Sequence, residues 1–284
     1  LAVHGGSATD FGLIEALRGA RPGQPDLELV HRLDRDTSGC LLVAKRRAAL
    51  RDLHLQLREG QTEKHYLALV CGKWNLGTKR IELALDTDER RSGERHVAVR
   101  AHGKKSVSTF KPVQFFGNLA TLMEVEIDTG KTHQIRVHAA HAGHPVAGDD
   151  KYGNRTFNEI FKDYGLKRMF LHSSSLGFTR PGTREPMLAS APLPPELSAV
   201  LDTLTRGKAR APQDERGKTL KPEGARGPIV APRVQRPAPV VQTGKPSMGN
   251  PRAGGAKPGK PGLVKGSGPV RGEGRRRART TGGR

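Results

Sequence analysis

The composition of this chain changes sharply near residue 205, and this break limits what each part can fold into. Residues 206–284 contain 20 Lys and Arg against 4 Asp and Glu, with 16 Gly, 11 Pro and no Phe, Tyr or Trp. Such a segment cannot bury enough apolar surface to offset the entropy of ordering its backbone. We therefore expect a folded domain at residues 1–205 and a disordered, basic tail at 206–284.

The same division changes the meaning of the net charge. The whole chain carries +21, of which 16 belongs to the tail and 5 to residues 1–205. The tail stretch RGEGRRRAR at 271–279 favours nonspecific binding to RNA phosphates. A solubilising extension without a defined partner explains the same composition equally well.

Several classes of protein are disfavoured by the sequence. No run approaches the 18 consecutive apolar residues that a membrane span needs. The first residues also lack the pattern of a secretory signal peptide, in which basic residues precede an apolar stretch. Cys40 and Cys71 do not make a disulfide framework and fit a reducing compartment. We therefore expect a cytoplasmic protein without membrane association, and we take it to be a monomer.

The spacing of apolar residues predicts many short strands with interspersed helices. Helical spacing indicates helices at 9–19, 46–59, 133–144, 156–165 and 194–204. Alternating or continuous apolar runs indicate strands at 27–30, 40–45, 66–70, 81–85, 96–100, 106–116, 119–128 and 169–178. Because helices and strands do not alternate regularly, the predicted class is α+β with an antiparallel sheet.

A polar loop between the first two predicted strands, HRLDRDTSG at 31–39, places a carboxylate between two guanidinium groups. Asp34 is flanked by Arg32 and Arg35. A carboxylate beside Arg stays ionised below neutral pH, as a nucleophile or general base requires. The alternative, which composition alone favours, is a surface loop with ordinary ion pairs.

A second polar cluster, TGKTHQIRVH at 129–138, contains Arg136 between two apolar residues. An Arg in a buried element needs an anionic partner, and Asp34 is a candidate. Hydrogen bonds from Arg136 to backbone carbonyls are an equally good alternative.

The same region contains a series of histidines. Two of them, three residues apart, would share a helix face as in a metal site, but no acidic ligand pattern accompanies them. We therefore expect no metal and favour rings bonded to the backbone or to phosphate. The series is His133, His138, His141 and His144.

Tyr66 opens the apolar run at 66–70. Aromatic residues are common in strands, so this position needs no special explanation. As a functional residue, Tyr66 would present its ring face to a flat ligand such as a nucleobase.

Four sequence blocks, in this order, resemble the RluA-type family of RNA pseudouridine synthases. The resemblance covers nearly all of residues 1–205, and AVHGGS, LHLQLREG and GDDKYG are similar to the RluC-like branch, which modifies 23S ribosomal RNA of the large subunit. The four blocks are HRLDRDTSG, EKHYLALV, GKTHQIRVHAAHAGHPVAGDDKYG and FLHSSSLGF.

The resemblance implies the pseudouridine synthase fold, with a central, mostly antiparallel sheet, flanking helices and an RNA-binding cleft. It also implies isomerisation of uridine to pseudouridine, in which the N1–C1′ bond is cut and C5 is joined to C1′. Atoms balance and no net redox change occurs, so the resemblance implies no cofactor. The absence of GxGxxG and GxxxxGK[ST] motifs agrees with this.

Catalytic roles follow from the matching positions. Asp34 would be the essential carboxylate, while Asp36 is not the match; whether Asp34 attacks C1′ or removes a ribose proton stays open. Arg136 would pair with Asp34 and hold it ionised and oriented. Tyr66 would stack on the flipped uracil and assist a late proton transfer.

Three substrate-binding roles are implied in the same way. Arg32 would fill the space left by the extruded base, and Ile135 and Leu171 would form walls of the pocket. Flipping the base out of an RNA helix costs a few kcal/mol, which stacking and pocket contacts offset.

The sequence departs from the family pattern in two places. Lys131 stands where the family often has Arg. The chain also begins at Leu1, without the strand and the S4-like RNA-binding domain that commonly lie upstream, so we expect an N-terminal truncation. The alternative function is a catalytically silent RNA-binding or ribosome-assembly protein, but such a protein has no need of Asp34.

Overall fold

A computed structural model of the chain describes residues 12–24, 26–89 and 95–207, together with positions 213, 217 and 219. The predicted tail lies outside the described residues except for 206, 207 and those three positions. The beginning of the first predicted helix, at 9–11, also lies outside them. The disordered tail and the truncated N terminus therefore stay predictions.

The described residues form five helices and ten strands. The helices are α1 (Leu13–Gly19), α2 (Arg47–Arg58), α3 (Gln134–His141), α4 (Arg155–Asp163) and α5 (Pro195–Arg206). The strands are β1 (Glu28–Leu29), β2 (Ser38–Gly39), β3 (Val43–Ala44), β4 (Glu63–Cys71), β5 (Lys79–Glu89), β6 (Arg95–Val99), β7 (Lys104–Phe116), β8 (Ala120–Ile127), β9 (Leu171–Thr179) and β10 (Pro186–Ser190). None of these helices combines the length and the apolar character needed to cross a membrane.

The main sheet has eight strands. Seven follow the order β10-β9-β4-β8-β7-β5-β6, and β2 pairs with β9 beside this path. Neighbouring strands are antiparallel except β2 and β9, which are parallel. β1 and β3 form a separate antiparallel pair. The predicted α+β class with a mostly antiparallel sheet is confirmed.

Helices cover both faces of the middle of the sheet. Leu122 on β8 packs with Phe157 of α4 and Leu197 of α5, while the next residue, Met123, packs with Ile135 of α3. Because successive strand residues point to opposite faces, α3 lies on one face and α4 and α5 on the other. This arrangement buries α3 and places Ile135, in its first turn, in one cluster with Tyr66 of β4 and Leu171 at the start of β9.

The observed secondary structure differs from the predicted elements in three places. The segment 31–39 is not entirely a loop, since β2 lies within it. The strands predicted at 27–30 and 40–45 shrink to two paired residues each. β10 was not predicted at all, because PMLAS contains Pro and no β-branched residue, which an edge strand tolerates.

Candidate active site

Asp34 lies in the loop between β1 and β2, and the end of this loop is fixed to β9. The N–H of Thr37 donates a hydrogen bond to the carbonyl oxygen of Asp34 at 2.9 Å, which closes a turn beside the carboxylate. Gly39, with φ of 114°, lies so close to β9 that a Cβ would overlap the carbonyl oxygen of Ser173. Glycine is required for this approach, so backbone pairing sets the position of the Asp34 loop.

Side-chain contacts reinforce the same attachment. The Ser38 hydroxyl lies 2.9 Å from Nδ1 of His172 on β9. The guanidinium of Arg168 donates to the Ser38 hydroxyl at 3.0 Å and forms an ion pair with Glu196 of α5, also at 3.0 Å. The Ser38 oxygen accepts the hydrogen bond from Arg168, so the Ser38 hydroxyl can donate its proton to Nδ1 of His172. The loop is thereby joined to β9 and α5.

Arg136, in the first turn of α3, has Asp149 as its main partner. Nε of Arg136 donates to one carboxylate oxygen of Asp149 at 2.8 Å, and a terminal nitrogen donates to the other at 2.9 Å. The Asp149 carboxylate also accepts from the backbone N–H groups of Lys151 and Tyr152 at 2.9 and 3.0 Å. Two charged bonds and two backbone bonds therefore satisfy a carboxylate that is 0% exposed.

The charges of this pair stabilise each other. Burial by itself raises the pKa of the Asp149 carboxyl, but the hydrogen bonds and charge of Arg136 outweigh it and lower that pKa below its ordinary value. Burial likewise works against the Arg136 cation, yet Asp149 raises the pKa of its guanidinium. Both groups are therefore charged at neutral pH.

The predicted contact between Arg136 and Asp34 is present but is the longer one. The second terminal nitrogen of Arg136 lies 3.4 Å from Oδ2 of Asp34, whose side chain is 23% exposed. The predicted pairing of Arg136 with Asp34 is therefore seen, but Asp149, which was not predicted, takes up two of the three guanidinium nitrogens. Backbone carbonyls, the other alternative, do not hold Arg136 among the described residues.

Tyr66 lies on β4, where the pairing with β9 shifts register between His65 and Tyr66. A bulge of this kind redirects a side chain. Burial raises the pKa of Tyr66 to about 12, a hydrogen bond with Ser173 acts in the opposite direction, and the nearby Asp34 carboxylate raises it further. The Tyr66 hydroxyl therefore keeps its proton at neutral pH.

All six residues predicted for the site line one small cavity. Its volume is about 130 Å³, close to the ~150 Å³ that admits benzene in an engineered protein. Ile135 and Leu171 are buried in its wall, and Arg32 is exposed at its edge. The six residues are Arg32, Asp34, Tyr66, Ile135, Arg136 and Leu171.

A larger cleft of about 990 Å³ adjoins this cavity and shares Arg32, Asp34, His133 and Arg136 with it. The cleft is richer in cationic than in anionic side chains, which favours a polyanion such as a nucleic acid backbone. Its Lys and Arg residues are Arg32, Arg35, Arg136, Lys151, Lys162, Lys167 and Arg168, against Asp34, Asp36, Asp149 and Asp150.

Two residues of the site, Asp149 and Tyr152, were not singled out from the sequence. The Arg136 guanidinium lies 5.1 Å from the centre of the Tyr152 ring, at a distance typical of cation–π contacts. The Tyr152 hydroxyl accepts from the N–H of Val97 at 2.9 Å and contacts His133. Both residues lie in the GDDKYG block, which was the available signal.

Two further histidines of the series, His138 and His144, contact polar groups of the fold, whereas Nδ1 of His141 is buried without a hydrogen-bond partner among the described residues. Nε2 of His138 lies 2.8 Å from the Ser106 hydroxyl, and Nδ1 of His144 lies 2.9 Å from the carbonyl oxygen of Cys71. Within the described part of the chain, no three His, Cys, Asp or Glu side chains converge as metal ligands would.

Comparisons with known proteins agree with this arrangement. The family described as RNA pseudouridylate synthase matches residues 3–141. The chain is 51% identical over 209 residues to "Ribosomal large subunit pseudouridine synthase C" of Pasteurella multocida (strain Pm70), an alignment that covers 74% of this chain and 64% of the relative. The protein of the same name from Escherichia coli (strain K12) is 50% identical over 209 residues, with 73% and 65% covered.

The chain thus spans just under two thirds of the length of these curated relatives. Among solved structures, "Human RNA Pseudouridylate Synthase Domain Containing 1" superimposes with a TM-score of 0.56 at 29% sequence identity. That superposition covers 69% of this chain and 84% of the other.

Proposed function

We propose that the chain is a member of the RNA pseudouridylate synthase family, whose pattern matches residues 3–141, and that it isomerises uridine to pseudouridine in large-subunit ribosomal RNA. The observation that carries the proposal is the convergence of Asp34, Tyr66 and Arg136 around a cavity with room for one six-membered ring. Relatives about 50% identical whose names specify the ribosomal large subunit support this choice of RNA.

The cavity and the cleft suit the two parts of such a substrate. A base inside a helix must be flipped out before it can be turned, and the small cavity would receive it. The phosphate backbone on either side would follow the larger, cation-rich cleft. Arg32 lies at the edge shared by both spaces, where it would fill the place that the base leaves.

Each of the three central side chains would have a distinct task. Asp34 would act on the sugar, either at C1′ or by removing a ribose proton, while the N1–C1′ bond breaks and the C5–C1′ bond forms. Tyr66 would stack on the base and, since it stays protonated, could give and regain a proton through its hydroxyl. Arg136 would hold the Asp34 carboxylate in place from a position that Asp149 fixes.

The surroundings of this activity are proposals as well. Ribosomal RNA as the partner implies a cytoplasmic site of action, and we propose that the chain acts there as a monomer without membrane association. Cys40 and Cys71 are both free and buried, which is compatible with that compartment.

The decisive experiment maps pseudouridines in large-subunit ribosomal RNA from cells with and without the gene. We expect at least one uridine to lose its modification and to regain it when the wild-type chain is supplied. The matched control is Asp34→Asn, which keeps the size of the side chain and should not restore the modification. Identical maps in both strains would favour the silent RNA-binding alternative.

A further inference from the structure

His133 has an unusual backbone conformation at the entrance to the site. Its φ is 52° and its ψ is 20°, so it lies in the left-handed region immediately before α3. Among the described residues, Arg184 is the one other non-glycine residue with positive φ. Residues are held in this region only when their surroundings impose it, commonly at functional sites.

The hydrogen bonds around Tyr152 favour one ring nitrogen of His133 as the carrier of its proton. The N–H of Val97 donates to the Tyr152 oxygen at 2.9 Å, and Nδ1 of His133 lies 2.8 Å from the same oxygen. A phenol has one proton, and no other described group accepts it from Tyr152. Donation from the hydroxyl to Nδ1 gives this proton an acceptor, and a neutral ring then carries its hydrogen on Nε2.

The ring is neutral under ordinary conditions. Burial lowers the pKa of His133 to about 4, with smaller and opposing contributions from Asp34 and from Arg136. His133 is partly exposed and lines both the small cavity and the larger cleft. In the described part of the chain its ring has one hydrogen bond, through Nδ1, which leaves Nε2–H available at the cavity.

We propose that His133 binds the substrate by donating a hydrogen bond from Nε2 to a carbonyl oxygen of the flipped base, in the tautomer that Tyr152 selects. This inference rests on the function proposed above. A neutral N–H group suits an uncharged carbonyl, whereas a phosphate in the cleft would favour a cation. If the contact is to the carbonyl at C4, it also excludes cytosine, whose C4 carries an amino group that donates.

The principal variant is His133→Asn, compared with His102→Asn at an exposed turn. Asn adopts the left-handed region readily, and its amide oxygen can accept from the Tyr152 hydroxyl, but it has no group at the position of Nε2. We expect kcat/KM for pseudouridine formation to fall roughly tenfold, the size of one neutral hydrogen bond, with an unchanged thermal midpoint. Full activity in His133→Asn would overturn the proposal.

Sulfur-substituted RNA tests the contact directly. A target uridine carrying sulfur in place of O2 or O4 presents a weak acceptor. At the contacted position, sulfur should reduce kcat/KM of the wild type more than that of His133→Asn, whereas an intrinsic effect of sulfur on the chemistry would be equal in both. Equal reductions in the two enzymes, for sulfur at O2 and for sulfur at O4, would contradict the contact, while a wild type that forms no pseudouridine would instead refute the proposed function.

Tyr152→Phe tests the selection of the tautomer. This change keeps an aromatic ring beside Arg136 and removes the hydroxyl that fixes His133. We expect the difference between oxygen and sulfur substrates to shrink toward that of His133→Asn. A difference as large as in the wild type would show that His133 acts without Tyr152 and would overturn that part of the proposal.

Discussion

The two sides of the candidate site are held in place by different means. On one side, pairing of β2 with β9 and the close approach of Gly39 position the loop through its backbone, while the Asp34 carboxylate remains 23% exposed with a 3.4 Å contact to Arg136. On the other side, Arg136 is positioned through its side chain, by two charged hydrogen bonds to the fully buried Asp149.

This difference gives Asp149 a role in folding stability and leaves Asp34 for the reaction. Because Asp149 neutralises Arg136, the guanidinium does not depend on Asp34 for its charge balance or its orientation. Within the described part of the chain, the Asp34 carboxylate has one polar side-chain contact, at 3.4 Å, so its oxygens are available to a substrate. The two carboxylates thus have different tasks although both contact the same arginine, and substitutions should separate them.

The largest expected effect is the loss of activity in Asp34→Asn. We expect turnover to fall by about 10⁴-fold or more, as when a central catalytic group is removed. The unfolding free energy should change by less than ~1 kcal/mol, because a partly exposed ion pair contributes little. Single-turnover assays and urea unfolding measure the two quantities, and binding of the RNA should survive. Substantial turnover by this variant would show that another group performs the reaction.

Asp149→Asn should show the reverse balance. It leaves the buried Arg136 cation without its partner, which typically costs about 3–5 kcal/mol of folding free energy. The double variant Arg136→Met, Asp149→Leu removes both charges and should be more stable than Asp149→Asn alone, although inactive. If Asp149→Asn destabilised the chain no more than Asp34→Asn, the two sides of the site would not differ as described.

Gly39→Ala tests whether backbone contact positions the Asp34 loop. A methyl group there meets the backbone of Ser173, so we expect a loss of about 2 kcal/mol or more. The control is Gly60→Ala, where φ is also positive, at 70°, but no atom lies within 4 Å. Its cost should be about 1 kcal/mol, from the backbone alone. Equal thermal shifts in the two variants would remove the steric argument.

Acid should reduce the folding stability through one histidine on each side of the site, so the two sides should not differ in this respect. Burial lowers the pKa of His31, in the Asp34 loop, and of His133 to about 4. The unfolded chain binds these protons near pH 6.5 and the folded chain near pH 4, so stability is lost as the pH falls through this interval. We expect about 1–2 kcal/mol per ring between pH 7 and pH 5.

Urea unfolding at several pH values measures this loss. His31→Asn and His133→Asn should each reduce the dependence on pH, whereas the exposed His102→Asn serves as the control. A stability that stays constant from pH 7 to pH 5 would contradict the expectation.

Much of the site could be predicted from the sequence, because its residues lie in contiguous blocks. Asp34, Tyr66 and Arg136 occur in three different blocks, yet all of them line the same cavity. Asp149 as the second partner of Arg136 could not be predicted, since Asp149 and Asp150 are adjacent and chemically identical. The turn after β-bridge residue Val146 buries one and exposes the other, and only the fold determines which.

The fold was predictable where patterns are long and less so where they are short. The hairpin of β7 and β8 follows from two long apolar runs and the Gly117 turn, where φ is 55°. β2 consists of two residues, Ser38 and Gly39, whose strand character comes from β9 and not from their own side chains. Local patterns do not contain such information, because the pairing partner is remote in the chain.

The distance along the chain between β2 and β9 determines when the candidate site can assemble during translation. Ser38 and His172 are 134 residues apart in the chain, and translation at about 5–20 residues per second takes on the order of ten seconds to cover this span. Until β9 leaves the ribosome, the loop with Asp34 has no strand to pair with. A nascent chain therefore carries this loop unpaired while the intervening residues are made, and the candidate site is assembled after β9 emerges.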